Sequence, residues 1–191
     1  MIIRLLLIAL LLALLASLTG CSVGQSQWDS RAMDHTKVAF VGIPTMFGIG
    51  FTGTTTPITK GYSFTNKHVA YPTLRRIERT HEACDLALIK QDNSGEQLPP
   101  RIGYAAKGKA ITLYGYSGRT MLPVSGRGTV KGVAMRDGCM VGWTDAGSVQ
   151  GMSGGAVMDD SGALVGIIFG GNIFNGYTYF IMQPAMLEML K

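Results

Sequence analysis

An all-β domain of barrel or sandwich type is what the sequence predicts, and three observations carry it. From Lys37 onward the chain runs in short apolar or alternating stretches broken by Gly, Pro, Asn, Asp and Ser, at spacings that suit strands joined by turns. Glycine is abundant, 26 of 191 residues, as tight turns and barrel corners require. Helical signals are confined to two short places. The length suits one substantial core, with no internal repeat and no room for appended peptide-binding domains.

In chain order, residues 1–20 form a leader. Arg4 supplies a positive start, Leu5 to Leu15 an apolar run, and the run stops at Ser17, the layout of a secretory signal. Leu18-Thr19-Gly20-Cys21 resembles the lipobox of bacterial lipoproteins. A spanning helix and an ordinary cleaved signal are the competing readings. The resemblance implies a mature chain beginning at Cys21, its sulfur carrying a diacylglycerol and its amine a further acyl chain. Such an anchor holds firmly, because each buried methylene contributes about 0.8 kcal/mol. Ser22 follows, where inner-membrane retention in enterobacteria usually needs Asp. The implied location is therefore the cell envelope, on the outer membrane and facing the periplasm.

Residues 21–36 are polar, with Trp28 and Met33 the larger apolar exceptions, and read as a tether from the lipidated cysteine. The folded domain is expected over residues 37–191. Examples of expected strands are Val38 to Val41, Gly61 to Phe64, Asp85 to Lys90, Ala110 to Tyr114, Gly128 to Ala134, Cys139 to Trp143, Ala163 to Phe169 and Thr178 to Met182. A short helical turn is expected around Val69 to Arg76, interrupted by Pro72. A terminal helix is expected from Pro184 to Leu190, with proline at its start.

The net charge of +5 falls to +4 once Arg4 leaves with the leader, and it is spread thinly, which argues against nucleic acid as a partner. With Cys21 assigned to lipid, Cys84 and Cys139 remain: in an oxidising compartment they form a disulfide, or they stay as two buried thiols. No Cys and His spacing suits zinc, and no metal or cofactor is expected.

Chemistry concentrates in Gly151-Met152-Ser153-Gly154-Gly155-Ala156-Val157. Flanking glycines let the backbone turn sharply and expose the Ser153 hydroxyl. The amides of Gly151 and Ser153 can stabilise an oxyanion, each such donor contributing roughly 3 kcal/mol. A serine hydroxyl needs a base. His68 ends the run Ser63-Phe64-Thr65-Asn66-Lys67-His68, whereas His35 lies in the polar segment and His81 among charged residues, as on a surface. Asp85 opens the alternating Asp85-Leu86-Ala87-Leu88-Ile89-Lys90, and its apolar neighbours are expected to shield a carboxylate that orients the imidazole.

The order His68, Asp85, Ser153 and these contexts resemble the chymotrypsin-like (trypsin-like) serine proteases, closest to the Deg/HtrA type of protease domain. Gly48-Ile49-Gly50-Phe51 resembles the family's early glycine-rich strand. Thr144-Asp145-Ala146 leads into the serine motif in the same way. Gly162-Ala163-Leu164-Val165-Gly166-Ile167 and Phe180-Ile181-Met182-Gln183-Pro184-Ala185-Met186 extend the likeness beyond the serine. It covers most of residues 37–191. The resemblance implies two six-stranded antiparallel Greek-key barrels and a short C-terminal helix. It also implies a serine endopeptidase acting on peptide or protein substrates through Ser153, His68 and Asp85.

Two departures stand out. Only 17 positions separate His68 from Asp85, so the first barrel is expected to be trimmed and Asp85 is the least secure member. Met152 stands where many digestive members have an aspartate that pairs with a newly cut N-terminus, which argues against activation by N-terminal insertion. The family's primary pocket maps to Gly147 through Gln150 and to Phe169, Gly170 and Gly171. These carry no charge, which implies a small or medium apolar side chain before the cut. An edge at Phe169 to Gly171 could take a peptide as an added strand. Competing functions are a catalytically inactive barrel that binds a peptide or protein, and an esterase or a protease restricted to one partner. The oligomeric state is left open.

Overall fold

The computed structural model describes residues 23–42 and 50–191. The leader, the lipobox with Cys21, and Gly48 and Ile49 of the glycine-rich strand lie outside the described residues. Twelve strands and three short helices fill the rest: β1 (Gln27–Trp28), α1 (Arg31–His35), β2 (Lys37–Gly42), β3 (Gly50–Thr59), β4 (Tyr62–Thr65), α2 (Lys67–Ala70), β5 (Ile77–Thr80), β6 (Ala87–Lys90), β7 (Ala110–Tyr116), β8 (Pro123–Arg136), β9 (Cys139–Thr144), β10 (Ala156–Asp159), β11 (Leu164–Asn172), β12 (Tyr177–Met182) and α3 (Gln183–Met189).

Two antiparallel sheets result, in a chymotrypsin-like arrangement. The second runs β8-β7-β10-β11-β12-β9 and closes through β8–β9 pairing, with β1 added at β8. Closure depends on the 14-residue β8, which pairs with β7 along its first half and with β9 along its second. A register shift between Val130 and Gly132 bends it between the two partners. Alternation fills the barrel: Ile111, Leu113, Val157, Val165, Phe180 and Met182 all point inward and are buried. The first sheet runs β2-β3-β4-β6-β5 and stays open, which agrees with the trimmed barrel expected from the sequence. A disulfide joins Cys84, before β6, to Cys139 at the start of β9, with Cα atoms 5.1 Å apart, so a covalent bond ties one sheet to the other.

Expected and observed elements differ in three places. The polar segment expected as a tether is part of the fold from Val23 onward. Val23 is buried and paired with Ser148, β1 pairs with Ser125 and Val124, and α1 packs on β7 and β8. Its polar residues concealed this, because it attaches through backbone hydrogen bonds and through Asp29, which accepts from Ser125 at 2.7 Å. The turn after His68 is helical only over α2, before Pro72, and the chain then extends into β5. Most of β3, and all of β5 and β10, lie outside the expected strands. No helix among the described residues is long and apolar enough to cross a membrane.

Candidate active site

The site lies where the open sheet meets the barrel. On the first side, β4 ends at buried Thr65 and the chain turns into α2, placing His68 in its single turn. Asp85 precedes β6. Its Oδ2 lies 2.5 Å from His68 Nδ1, and its Oδ1 accepts the His68 backbone N–H at 3.2 Å. The carboxylate can only accept, so Nδ1 is the donor in this contact, and in a neutral imidazole Nε2 is then the acceptor. The short spacing therefore does not separate the two side chains. Their exposure, 46% for His68 and 32% for Asp85, departs from the shielded carboxylate expected. Leu86 and Leu88 turn into the core and leave the carboxylate at the surface.

Three residues that the motif reading passed over hold this pair. Asn66 donates from Nδ2 to the Asp85 carbonyl at 2.8 Å. Lys67 donates from Nζ to the His81 carbonyl at 3.0 Å. His81, expected at the surface, is buried, and its Nδ1 accepts the backbone N–H groups of Ala83 and Cys84. It thus shapes the loop that delivers Asp85, and Cys84 fastens that loop to the barrel.

On the barrel side, Ser153 sits in a turn whose flanking residues, Gly151 at φ +96° and Gly154 at φ +87°, adopt the left-handed region that glycine tolerates. Threonines from β3 and β4 clamp this turn. Thr54 donates its N–H to the Ser153 carbonyl at 2.8 Å and its hydroxyl to the Gly151 carbonyl at 2.7 Å. Thr56 donates to the Gly154 carbonyl at 2.9 Å, and Thr65 donates to the Thr54 carbonyl at 2.7 Å. Packing is so close that a Cβ on Gly154 would lie 1.9 Å from the Thr54 carbonyl oxygen. Because Thr65 is three residues before His68, the clamp also sets the serine turn beside the histidine helix. Among the described residues, neither the Gly151 nor the Ser153 amide donates a hydrogen bond, and the Ser153 hydroxyl has no partner.

The expected pocket residues divide. Gly147 is buried, and a Cβ there would collide with the Gln25 backbone at 2.4 Å, so the N-terminal segment backs it. Gln150 is exposed. Phe169, Gly170 and Gly171 are half-exposed, and nothing lies within 4 Å of a Cβ position on Gly170. Behind them Ser148 and Thr178 bond hydroxyl to hydroxyl at 2.7 Å. Met152 is buried, so no carboxylate faces the N-terminal segment at that position. Asp145 is occupied elsewhere. Burial raises its pKa, but Lys131 at 2.6 Å and the Thr129 N–H more than offset this and leave it below the ordinary carboxylate value. No group of three or more His, Cys, Asp or Glu side chains suited to a metal occurs among the described residues.

Comparison with known proteins agrees with this architecture. Solved structures similar in fold include the Rv3671c protease of M. tuberculosis in its active form, at 18% identity and a TM-score of 0.67, over 84% of this chain and 81% of that one. The HtrA-type protease AlgW, solved with a tripeptide, is 20% identical at a TM-score of 0.69, over 84% of this chain and 60% of that one. A serine endoprotease from Yersinia pestis is 22% identical at a TM-score of 0.66, over 83% and 62%. No curated protein sequence matches the chain. The family model described as a trypsin-like peptidase domain matches residues 60–167, more than half of the chain and a span that holds His68, Asp85 and Ser153. The chain belongs to the trypsin-like peptidase domain family.

Proposed function

We propose that this peptidase is a serine endopeptidase in which Ser153 is the nucleophile, His68 the general base and Asp85 the residue that orients it. The observation that carries this reading is the 2.5 Å contact between His68 Nδ1 and Asp85, linked to the serine turn through hydrogen bonds from Thr65 to Thr54 and from Thr54 to Ser153. With its proton held on Nδ1, the imidazole presents Nε2 to take the proton from Ser153 as the hydroxyl attacks the scissile carbonyl. His68 then returns that proton to the departing amine, and a water repeats the sequence to release the acyl group. The amides of Gly151 and Ser153, both without an acceptor in the described residues, receive the oxyanion. A hydrogen bond from Ser153 to His68 is not required beforehand, since such contacts tighten when substrate binds.

The half-exposed stretch Phe169 to Gly171 takes the peptide as an added strand beside Gln150, and the uncharged surroundings favour a small or medium apolar side chain before the cut. Cys21 carries the lipid that holds the enzyme in the bacterial envelope. A fluorophosphonate reagent tests the chemistry without a known substrate. The full chain is expected to label, and Ser153→Ala and His68→Ala to label at background. A folded, unlabelled wild-type chain would support a barrel that binds peptide without turnover.

A further inference from the structure

The chain enters its fold beside strand β11. Val23 donates its N–H to the Ser148 carbonyl at 2.7 Å and accepts the Ser148 N–H at 2.6 Å. It is 2% exposed, and its Cγ2 would lie 2.8 Å from a Cβ on Gly171. Residue 21 is therefore within ~8 Å of backbone from this anchored point. Upstream of it lies the apolar run Leu5 to Leu15 and the cysteine expected to carry lipid.

Three residues past Gly171, at the tip of the β11–β12 hairpin, Phe174 is 94% exposed and Ile173 54%. The tip is a built turn. The Phe174 N–H donates to Asn172 Oδ1 at 2.9 Å, Gly176 N–H to the Asn172 carbonyl at 2.9 Å and Tyr177 N–H to Asn175 Oδ1 at 3.1 Å. Those bonds hold two large apolar side chains out in water. From Phe169 to Met182 the sequence carries no charge, and Tyr177 and Tyr179 are half-exposed behind the tip. An apolar point backed by tyrosines, with the Arg136 guanidinium over the Tyr179 ring at 5.3 Å, suits the boundary between acyl chains and headgroups.

We propose that Ile173 and Phe174 insert into the bilayer surface that holds the N-terminal anchor, so that the cleft edge at Gly170 and Gly171 faces the membrane and receives membrane-proximal peptide segments. This rests on the lipid-anchor reading and deepens it. The occupant is a bilayer because of reach: chain from residue 21 to Val23, the contact with Gly171, and chain from Gly171 to Phe174 together span at most ~25 Å. Anchor and tip can therefore meet one lipid surface.

The test uses the full chain in vesicles of phosphatidylethanolamine and phosphatidylglycerol, with brominated acyl chains as a depth quencher. Phe174→Trp is compared with Tyr104→Trp, and fluorescence of the unsubstituted chain is subtracted from both. Tyr104 is 48% exposed and lies beside Ile102, which pairs with Leu164 at the opposite end of β11. Expected are co-flotation with vesicles and quenching at Phe174→Trp about threefold or more above that at Tyr104→Trp. Equal quenching in a chain that floats overturns the docking and leaves the anchor standing. A chain that stays in the soluble fraction overturns both. Shielding of the Phe174→Trp indole that needs no lipid and grows with protein concentration assigns the tip to a second copy and also overturns the proposal. None of these readouts depends on peptidase activity, so its failure would be seen separately.

Discussion

Asp85 and Thr54 do different work at the candidate site, and substitution separates them. Asp85→Asn keeps the shape of the side chain but removes the charge that fixes the proton on His68 Nδ1. Turnover is expected to fall by about 10⁴-fold with little change in melting temperature. A loss of only a fewfold, measured as kcat on any peptide the enzyme cleaves, would remove Asp85 from its assigned role. Thr54→Val deletes a hydroxyl that donates to the Gly151 carbonyl and accepts the Tyr116 N–H at 3.0 Å. Leaving those buried groups unpaired is expected to cost about 1–3 kcal/mol of stability. It also frees the Gly151 carbonyl, in the turn between the two proposed oxyanion donors, so fluorophosphonate labelling should slow while the His68–Asp85 pair persists. Unchanged labelling in a destabilised variant would limit Thr54 to a packing role.

Among elements, the N-terminal segment is the one that composition misrepresents. Its attachment includes Asp29, whose carboxyl is brought to about 2 because Arg31 donates to it, with Ser125 adding to the effect and burial opposing it. A depressed carboxylate contributes stability that is fully present above its ordinary value of 3.8 and is lost as pH falls toward about 2. Asp29→Asn should therefore reduce the melting temperature above pH 4 and flatten its dependence between pH 4 and pH 2. Parallel melting curves for the two proteins across that window would contradict the assignment. The same segment shows which parts of the fold are legible from residues alone. Strands β7, β9 and β12 announce themselves through alternation against the barrel core. Strand β3 does not, because Thr54, Thr55 and Thr56 are buried by hydrogen bonding rather than by apolar character. The serine turn and histidine context can be read from local motifs. Asn66 and the threonine clamp cannot, since each acts on a backbone group distant in sequence, and His81 cannot because its charged neighbours conceal its burial.

At the scale of the whole molecule, the candidate site is assembled from two sheets, and Cys84–Cys139 is their covalent tie. The bond closes a loop with a sequence separation of 55. Chain entropy alone gives a stabilisation of about 4 kcal/mol for such a loop. Reduction is expected to lower the melting temperature on the order of 10 °C. It should also weaken labelling of Ser153 before global unfolding, because Asp85 adjoins the tied cysteine. If melting is the same with and without reductant, the tie contributes no stability.

The two sheets also end differently. Apart from the two-residue β1, the closed barrel presents no strand edge among the described residues, whereas the open sheet leaves β2 and β5 as edges. Edge strands recruit other chains unless something discourages them. Strand β5 carries Glu78 and Arg79, and Glu78 pairs with Lys90 at 2.7 Å, so its border is charged. Strand β2 offers exposed Val41 beside exposed Phe51 and has the weaker guard. Light scattering of concentrated protein should therefore fall in Val41→Lys, while unchanged scattering would locate the self-contact elsewhere. The trimming of the first barrel thus reaches beyond catalysis: it sets how crowded these molecules can become before they begin to join strand to strand.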